Sequence, residues 1–297
     1  MKSYLECIPC FLKQAIEASR ISGANERTTK RIVDKICREI IKFPFSSSPP
    51  EMGIIVYGLI AKITKVKDPY KGLKRKSNLE ALKLLDNLKR KICDSRDPLF
   101  KALEFAIAGN IIDYGVKNTL NVDKELKKIL SEENRVIKNE KKGLFRYDEF
   151  KKKLKGAREI LFLADNAGEV VFDRLLLEEI KRRYRNKKIF YAVKEKPIIN
   201  DALIEDAYMC GIDKSAAIIS SGSIAPGTIL SRCSKEFLKI YKSSDLIVSK
   251  GQGNFETLSD EKGPIFFLFM AKCPVVAKHL NCNLGDIILT TRRAYNG

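Results

Sequence analysis

The sequence has no tryptophan and one histidine, His279, in 297 residues. A histidine-based metal site or a Ser-His-Asp triad is therefore not favoured, and metal or acid–base chemistry must use carboxylates, amides, lysines or thiols. The longest apolar run, Ile265 to Ala271, is far shorter than the roughly 20 residues of a membrane span. Glu6, Cys7 and Cys10 interrupt the place of a signal-peptide core. We expect a soluble, cytoplasmic protein with no membrane partner.

The eight cysteines include one pair with ligand-like spacing, Cys7-Ile-Pro-Cys10. A closed zinc site usually needs a second close pair, which the sequence lacks, so we expect mostly free thiols in a reducing compartment. Cys7 and Cys10 are interpreted either as small buried apolar residues or as an auxiliary metal or disulfide pair. Both interpretations stay open.

The charge balance is strongly basic, with 56 Lys and Arg against 37 Asp and Glu and a net charge of +19. Such a field favours anionic partners, from nucleic acid to phosphorylated metabolites. The densest basic stretch, Lys62 to Lys76, is typical of a solvated helix face, and no nucleic-acid-binding motif accompanies it. A partner nucleic acid is thus not favoured, although a basic nucleic-acid-binding protein stays an alternative.

The two halves of the chain differ in pattern. Segments such as Ala81 to Arg90 and Asp123 to Leu130 have the apolar spacing of amphipathic helices, and Phe43 to Pro50 interrupts them as a loop. The charged stretch Asn139 to Lys155 is predicted to connect the halves. We therefore predict a helical domain over residues 1–155 and a second domain over 156–297.

The second half contains short apolar runs separated by amphipathic segments, typical of parallel strands covered on both faces. The runs lie at 159–164, 188–193, 216–220, 245–249, 264–269 and 274–277. This alternation predicts an open α/β sheet, with ligands outside the carboxyl ends of its strands.

Polar side chains follow the first two runs. Asp165-Asn166 comes after the first, before Gly168 and Glu169, and Asn200-Asp201 follows the second. A carboxylate beside an amide offers two hard oxygen ligands for Mg²⁺ or Mn²⁺, and a helix beginning at Gly168 would direct amides toward an anion. Asp165 or Asn166 could instead only cap that helix. Two such pairs at neighbouring strand ends make a coincidence less attractive.

Small residues and lysines follow the later runs. A serine- and glycine-rich segment containing Ser223 ends the third, and the fourth ends in Lys250-Gly251-Gln252-Gly253-Asn254. A lysine with spaced glycines can hold a phosphate, although neither a P-loop nor a dinucleotide-binding motif is present. The fifth run leads to Lys272. Oxygen ligands, two lysines and glycine loops together favour phosphate-ester chemistry.

These strings occur in the order typical of the metal-dependent damage-control phosphatase family, formerly a domain of unknown function, which the sequence resembles over nearly its whole length. Three segments resemble markers of the cysteine-bearing microbial branch: Cys7 to Cys10, Asp68-Pro69-Tyr70 and Ala108 to Asp113. One branch carries Arg-Thr-x-Lys where this chain has Phe269-Met270-Ala271-Lys272, so the substrate preferences of that branch are not carried over.

The resemblance implies an all-helical N-terminal domain on a Rossmann-like α/β/α three-layer domain. It also implies a divalent cation (Mg²⁺, Mn²⁺, Co²⁺ or Ni²⁺) and hydrolysis of small phosphorylated metabolites, such as sugar phosphates or damaged cofactor or nucleotide phosphates. The implied metal ligands are Asp165, Asn166 and Asp201. Asp165 and Lys250 are the implied catalytic residues, and the implied substrate-binding residues are Gly168, Glu169, Ser223, Lys250, Gly251 and Lys272.

Several alternatives stay open. The nucleophile is a metal-oriented water or, less favoured, Asp165, and Asp206, Glu169 or no side chain is the general base. An S-adenosylmethionine-dependent methyltransferase would also fit an α/β sheet, with Gly251 and Gly253 near a nucleoside. A homo-oligomer is neither predicted nor excluded.

Overall fold

A computed structural model describes residues 1–109 and 144–294 as a mixed α/β fold. The expected helix at 123–130 and the marker residues 110–113 lie outside these ranges. The described helices are α1 (Cys7–Ile21), α2 (Glu26–Lys42), α3 (Pro49–Thr64), α4 (Lys71–Leu82), α5 (Leu85–Cys93), α6 (Pro98–Ala108), α7 (Tyr147–Gly156), α8 (Glu169–Arg183), α9 (Ile204–Met209), α10 (Lys235–Ser243), α11 (Gln252–Leu258) and α12 (Pro274–His279). The strands are β1 (Glu159–Leu163), β2 (Lys188–Val193), β3 (Ala217–Ser220), β4 (Leu246–Lys250), β5 (Ile265–Met270) and β6 (Ile287–Thr290). None of these helices combines the length and apolarity needed to cross a bilayer.

The described part of the first half is helical, as predicted. The side chain of Asn25 caps α2 by accepting a hydrogen bond from the Thr28 amide. Ser48 and Glu51 form a capping box at the start of α3, which ends the predicted loop. Helices α1 to α3 share one apolar cluster, whose buried members include Phe11 and Val56.

Helices α4 to α6 pack on the sheet through α8 and share its core. Phe105 of α6 belongs to the same buried cluster as Phe162 of β1 and Phe172 of α8. A Cβ on Gly109 would lie 2.9 Å from the Phe172 ring, so the end of α6 approaches α8 very closely. The division of the chain at residue 155 stays a prediction.

The sheet has the strand order β3-β2-β1-β4-β5-β6, which is the order of doubly wound α/β sheets. Strands β1 to β5 are parallel, as predicted, and helices cover both faces of the sheet. The chain runs outward from β1 in one direction and from β4 in the other. The crevice for a ligand in such a sheet lies where this reversal occurs, beyond the ends of β1 and β4.

The prediction for the last strand is wrong. The run at 274–277 forms the start of α12, because Pro274 occupies the first turn, where proline favours a helix. The sixth strand is Ile287–Thr290, and it pairs antiparallel with β5. A run of four apolar residues fits a strand or a buried helix equally well by periodicity alone.

The charged stretch 139–155, predicted to connect the two halves, contains a helix in the part that the structure describes. Residues 147–156 form α7, which buries Phe150 and Leu154 against the sheet core. Before this helix, Phe145 bridges to Leu289 of β6, and the Arg146 amide donates to the Leu289 carbonyl at 2.8 Å. Exposed lysines between two buried apolar residues masked the helical pattern.

Asn78 of α4 connects the first-half helices to the sheet. Its side chain is completely buried. Its Nδ2 donates to Asp206 Oδ1 at 2.7 Å, and its Oδ1 accepts from the Gly168 amide at 2.7 Å. One amide group thus holds the first turn of α8 and the capping residue of α9.

Replacing Asn78 with alanine should lower the free energy of unfolding by about 1–3 kcal/mol, because the Gly168 amide and the Asp206 carboxylate lose a buried partner. Urea titration of the variant would measure this. Asn87→Ala on α5 is the matched control, since Asn87 is exposed and its loss should change stability by less than about 0.5 kcal/mol. Equal stability of the two variants would contradict the role given to Asn78.

Candidate metal and phosphate site

The segments that follow β1 and β2 are paired through their backbones. The Ala202 amide donates to the Asp165 carbonyl at 2.8 Å, and the Ala167 amide donates to the Asn200 carbonyl at 2.9 Å. Asn166 and Asp201 form an isolated antiparallel bridge between these bonds. The structure therefore brings together the two carboxylate–amide pairs that the sequence placed at neighbouring strand ends.

The Asn166 side chain is oriented by two carboxylates. Its Nδ2 donates to Asp165 Oδ2 at 3.0 Å and to Glu169 Oε1 at 2.8 Å. Because the amide nitrogen serves both acceptors, the amide oxygen is the Asn166 atom suited to a cation. Glu169 is buried, so it orients Asn166 from inside the protein.

Asp201 is a buried carboxylate with little compensation. Its Oδ2 has no hydrogen-bond partner and lies 3.6 Å from the Lys194 ammonium, which donates to the Gly227 carbonyl at 2.8 Å. Burial raises the pKa of Asp201 to about 6, and Lys194 offsets only part of that effect. An orphaned carboxylate oxygen at this position is suited to a cation.

Burial also raises the pKa of Asp165 well above its ordinary value, and the negative charges of Glu169 and Asp201 add to the effect. The Lys272 and Lys194 ammonium groups oppose this shift. Acidic groups are thus gathered at low solvent exposure with too little positive charge nearby. Burying several carboxylates together is unfavourable, and binding a cation or a proton there reduces their repulsion.

Gly251 gives Asp165 the space it occupies. Its φ is +79°, and a Cβ there would lie 1.9 Å from Asp165 Oδ2. The Gly251 amide is fixed by the Leu268 carbonyl at 3.0 Å, so the turn after β4 cannot easily retreat. Glycine is required here by both conformation and contact.

Lys250 lies behind this site in a buried ion-pair network. Its Nζ is 2.5 Å from Asp173 Oδ1 and 3.4 Å from Glu169 Oε2, and the Tyr191 hydroxyl donates to Asp173 Oδ2 at 2.8 Å. Burial alone would lower the pKa of Lys250, but Asp173 and Glu169 raise it, so the ammonium is charged. Lys250 does not line the cleft described below. Its contact with a substrate phosphate stays a prediction.

Asp173 and Tyr191 were missed by the sequence analysis. Asp173 and Arg174 interrupt an otherwise apolar stretch, 170–177 of α8, and Asp173 is completely buried, so its carboxylate requires a buried partner. Burial raises the pKa of Asp173 to about 6 despite the nearby Lys250. A charged residue directly after Val170-Val171-Phe172 was the signal available in the sequence.

A cleft of about 280 Å³ opens in front of Asp165, Asn166 and Asp201. Helix α1 contributes Cys7 and Cys10 to its wall, and the segment after β5 contributes Lys272, which is exposed. Burial raises the pKa of both thiols. All eight cysteines are free.

Other predicted residues face the protein. Ser223 is buried, and its Oγ accepts from the Ala225 amide at 3.2 Å within the loop after β3. The Gly168 amide is taken by Asn78. Asp206 was considered as a general base. Its carboxylate caps α9 instead, because it accepts a hydrogen bond from the Leu203 amide at 2.9 Å.

Asn254 holds the ends of β1 and β4 together, a role that the sequence analysis did not assign. Its Nδ2 donates to the Ala164 carbonyl at 3.0 Å and to the Lys250 carbonyl at 2.8 Å. Its Oδ1 accepts from the Thr228 hydroxyl at 2.8 Å. The carbonyls at both strand ends are therefore satisfied, and the crevice between them is fixed.

Comparison with known proteins gives matches along nearly the whole chain. Residues 3–288 match the family model described as the damage-control phosphatase ARMT1-like domain. An uncharacterised protein of Methanocaldococcus jannaschii is 39% identical over 296 residues, covering 97% of this chain and 94% of that protein. A damage-control phosphatase of Pyrococcus horikoshii is 33% identical over 291 residues, covering 97% of each chain.

Two further matches agree with these. A damage-control phosphatase of Archaeoglobus fulgidus is 34% identical over 286 residues, covering 95% of this chain and 96% of that protein. The crystal structure of a DUF89 family protein from Pyrococcus horikoshii superposes with a TM-score of 0.88 at 32% identity, covering 98% of this chain and 99% of the other. The fold and the sequence therefore point to the same family.

The buried network makes a prediction about stability. Lys250→Met should lower the free energy of unfolding by about 3–5 kcal/mol, because Asp173 and Glu169 would face each other without a cation. The double variant Lys250→Met/Asp173→Asn should recover part of that loss. Chemical denaturation of both variants measures the difference.

Lys188→Met is the control, since the Lys188 ammonium pairs with Glu159 at 2.7 Å on the surface, where an ion pair contributes little. A Lys250→Met protein as stable as the Lys188→Met protein would show that the buried network does not stabilise the fold.

Proposed function

Because the chain belongs to the damage-control phosphatase ARMT1-like family, we propose that it is a divalent-metal-dependent phosphatase of small phosphorylated metabolites. Sugar phosphates and damaged cofactor or nucleotide phosphates are the proposed substrate classes. The observation that carries the proposal is the pairing of Asp165-Asn166 with Asn200-Asp201 at one wall of a cleft. A cytoplasmic location and membership of the cysteine-bearing branch stay predictions.

The residues present fit a divalent cation. Among the described residues no cluster of three or more His, Cys, Asp or Glu side chains is placed to hold a metal, so an amide must complete the set. Asp165, Asn166 and Asp201 would supply two carboxylates and that amide, all hard oxygen donors suited to Mg²⁺ or Mn²⁺. The buried Asp201 Oδ2, which lacks a hydrogen-bond partner, supports this assignment. Co²⁺ and Ni²⁺ stay alternatives.

A bound divalent cation would supply electrophilic stabilisation of the phosphate charge. The residues of the chain have the remaining tasks. Lys272, exposed on the cleft wall, is the proposed ligand of a substrate phosphate oxygen, and Glu169 orients Asn166. Lys250 fixes Glu169 from behind. Direct substrate contacts of Gly168, Glu169, Ser223 and Lys250 stay predictions, since their described polar contacts are to protein groups.

We favour water as the nucleophile. Asp165 is confined by Gly251 on one side and takes a hydrogen bond from Asn166 on the other, so its carboxylate has little freedom to attack phosphorus. In hydrolysis the water oxygen bonds to phosphorus, the ester P–O bond breaks, and the alcohol leaves with a proton. The family assignment supports this chemistry over the methyltransferase and nucleic-acid-binding alternatives.

Asp201→Asn should lower kcat/KM for phosphate release by at least about 100-fold, about 2.7 kcal/mol, because it removes a charged metal ligand while keeping the side-chain shape. Chelation with EDTA should abolish activity in the parent, and added Mg²⁺ or Mn²⁺ should restore it. Asp213→Asn, at an exposed aspartate that does not line the cleft, is the control and should keep parental activity. Undiminished activity in metal-free parent protein would refute the proposal.

Gly251→Ala should weaken divalent-metal binding by about tenfold or more, because the new methyl group would displace the Asp165 carboxylate. Isothermal titration calorimetry with Mn²⁺ measures this directly. Gly263→Ala is the matched control, since a Cβ there makes only ordinary contacts, the nearest at 3.6 Å. Parental Mn²⁺ affinity in a folded Gly251→Ala protein would show that Asp165 is not a ligand.

A further inference from the structure

A second cavity, of about 550 Å³, lies beside the cleft. Helix α3 forms one wall with Ile54 and Tyr57, the segment 66–70 forms another, and Ile198 and Ile199 after β2 close it. Ile199 lines both this cavity and the cleft. A volume of this size is within the range of small-molecule sites. We call it the α3 cavity.

The walls of the α3 cavity are mostly apolar. Tyr57 and Tyr70 meet edge to face with ring centroids 6.4 Å apart, and isoleucine side chains surround them. Ile224, one of these, is 41% exposed. Lys67, Asp68 and Lys196 also line the cavity, but most of its surface is apolar, so an aromatic or aliphatic group would bury apolar surface there.

The cavity is held in shape by the basic stretch that the sequence analysis interpreted as a solvated face. Lys74 of α4 is buried there and pairs with Asp68 at 2.9 Å. Asp68 Oδ1 also accepts from the Tyr70 amide at 3.1 Å. These contacts fix the segment Asp68-Pro69-Tyr70, so binding a ligand against it would cost little conformational entropy.

The segment between the two cavities is strained. Ile199 has a φ of +46°, a conformation that β-branched residues rarely adopt. It precedes Asn200 and Asp201, and the Asp201 amide donates to the Ile198 carbonyl at 3.1 Å. One short turn thus forms a wall of the α3 cavity and carries a proposed metal ligand. Strain kept at such a place is typical of functional sites.

We propose that the α3 cavity binds the organic part of the substrate, and that, within the proposed substrate classes, phosphate esters with an aromatic or other apolar group are preferred over sugar phosphates. The phosphate would lie at Asp165 and Asp201, and the organic group would pass Ile199. The inference rests on the proposed phosphatase function.

Gly58 offers a way to fill the cavity. It lines the cavity from α3, is exposed, and has no atom within 4 Å of a Cβ placed on it. Gly58→Trp should therefore fold, since most residues favour a helix more than glycine does. Gly72→Trp is the matched control, because Gly72 lies on α4 with the same open space and lines neither cavity. Ala61→Phe fills the cavity from a second position.

The substrates are 2-naphthyl phosphate, which has a large apolar group, and methyl phosphate, which has almost none. Gly58→Trp should lower kcat/KM for 2-naphthyl phosphate at least tenfold and change that for methyl phosphate less than twofold. Gly72→Trp should change neither by more than twofold. Comparing each variant with the parent on the same substrate cancels the intrinsic reactivity of the aryl ester.

An equal fall on both substrates, or no fall in either Gly58→Trp or Ala61→Phe, would overturn the inference. Release of phosphate by the metal-loaded parent from neither of these esters, nor from any sugar, cofactor or nucleotide phosphate tried, would refute the proposed function instead. Calorimetric binding of 2-naphthol to the parent then decides about the cavity. Binding lost in Gly58→Trp and kept in Gly72→Trp would support an apolar ligand site, and no binding to the parent would overturn it.

Discussion

The pairing of the turns after β1 and β2 is the constraint on which the rest of the site depends. Two backbone hydrogen bonds, from Ala167 to Asn200 and from Ala202 to Asp165, force two carboxylates into one poorly solvated place. Carboxylates this close and this poorly solvated repel each other, and the negative charges of Glu169 and Asp201 add to the rise that burial causes in the pKa of Asp165. Lys194, the turn at Gly251 and the Asn166 amide all lie next to these two carboxylates.

Three lysines near the carboxylates differ in how deeply they are buried. Lys250, completely buried, neutralises the acidic groups behind the site, and Lys194 lies beside Asp201. Lys272 is exposed at the mouth. The two buried cations do not balance Asp165, Glu169, Asp173 and Asp201, so the interior keeps a negative excess within a chain of net charge +19. A basic exterior attracts an anionic ester, and an acidic interior attracts a cation. A phosphatase that uses a metal needs both.

The sequence predicted the parts of the site that depend on local pattern. Strands β1 to β5 are short apolar runs, and parallel strands end at one edge of the sheet, so the sequence alone predicts that Asp165 and Asp201 lie close together. Partners distant in sequence could not be predicted. The glycines beside Lys250 predict a phosphate ligand, but they could not predict that its ammonium also pairs with Asp173, 77 positions earlier. Pro274 suits the first turn of a helix, but the four apolar residues from it fit a strand equally well, so the run was assigned to the wrong element.

The first-half helices and the sheet divide the proposed function between them. The sheet edge carries the proposed oxygen ligands, helix α1 contributes to the wall of the cleft, and helix α3 contributes to the wall of the α3 cavity. Helix α3 is held near the sheet at Gly53, where a Cβ would lie 2.7 Å from Pro226. Because Gly227 in turn packs on the Gly253 carbonyl beside the β4 turn, a shift of α3 would be transmitted to the turn that confines Asp165. Substitutions on the Gly53 side of α3 would therefore disturb the turn that confines Asp165. Substitutions on the Gly58 side could change which organic group the protein accepts without disturbing that turn.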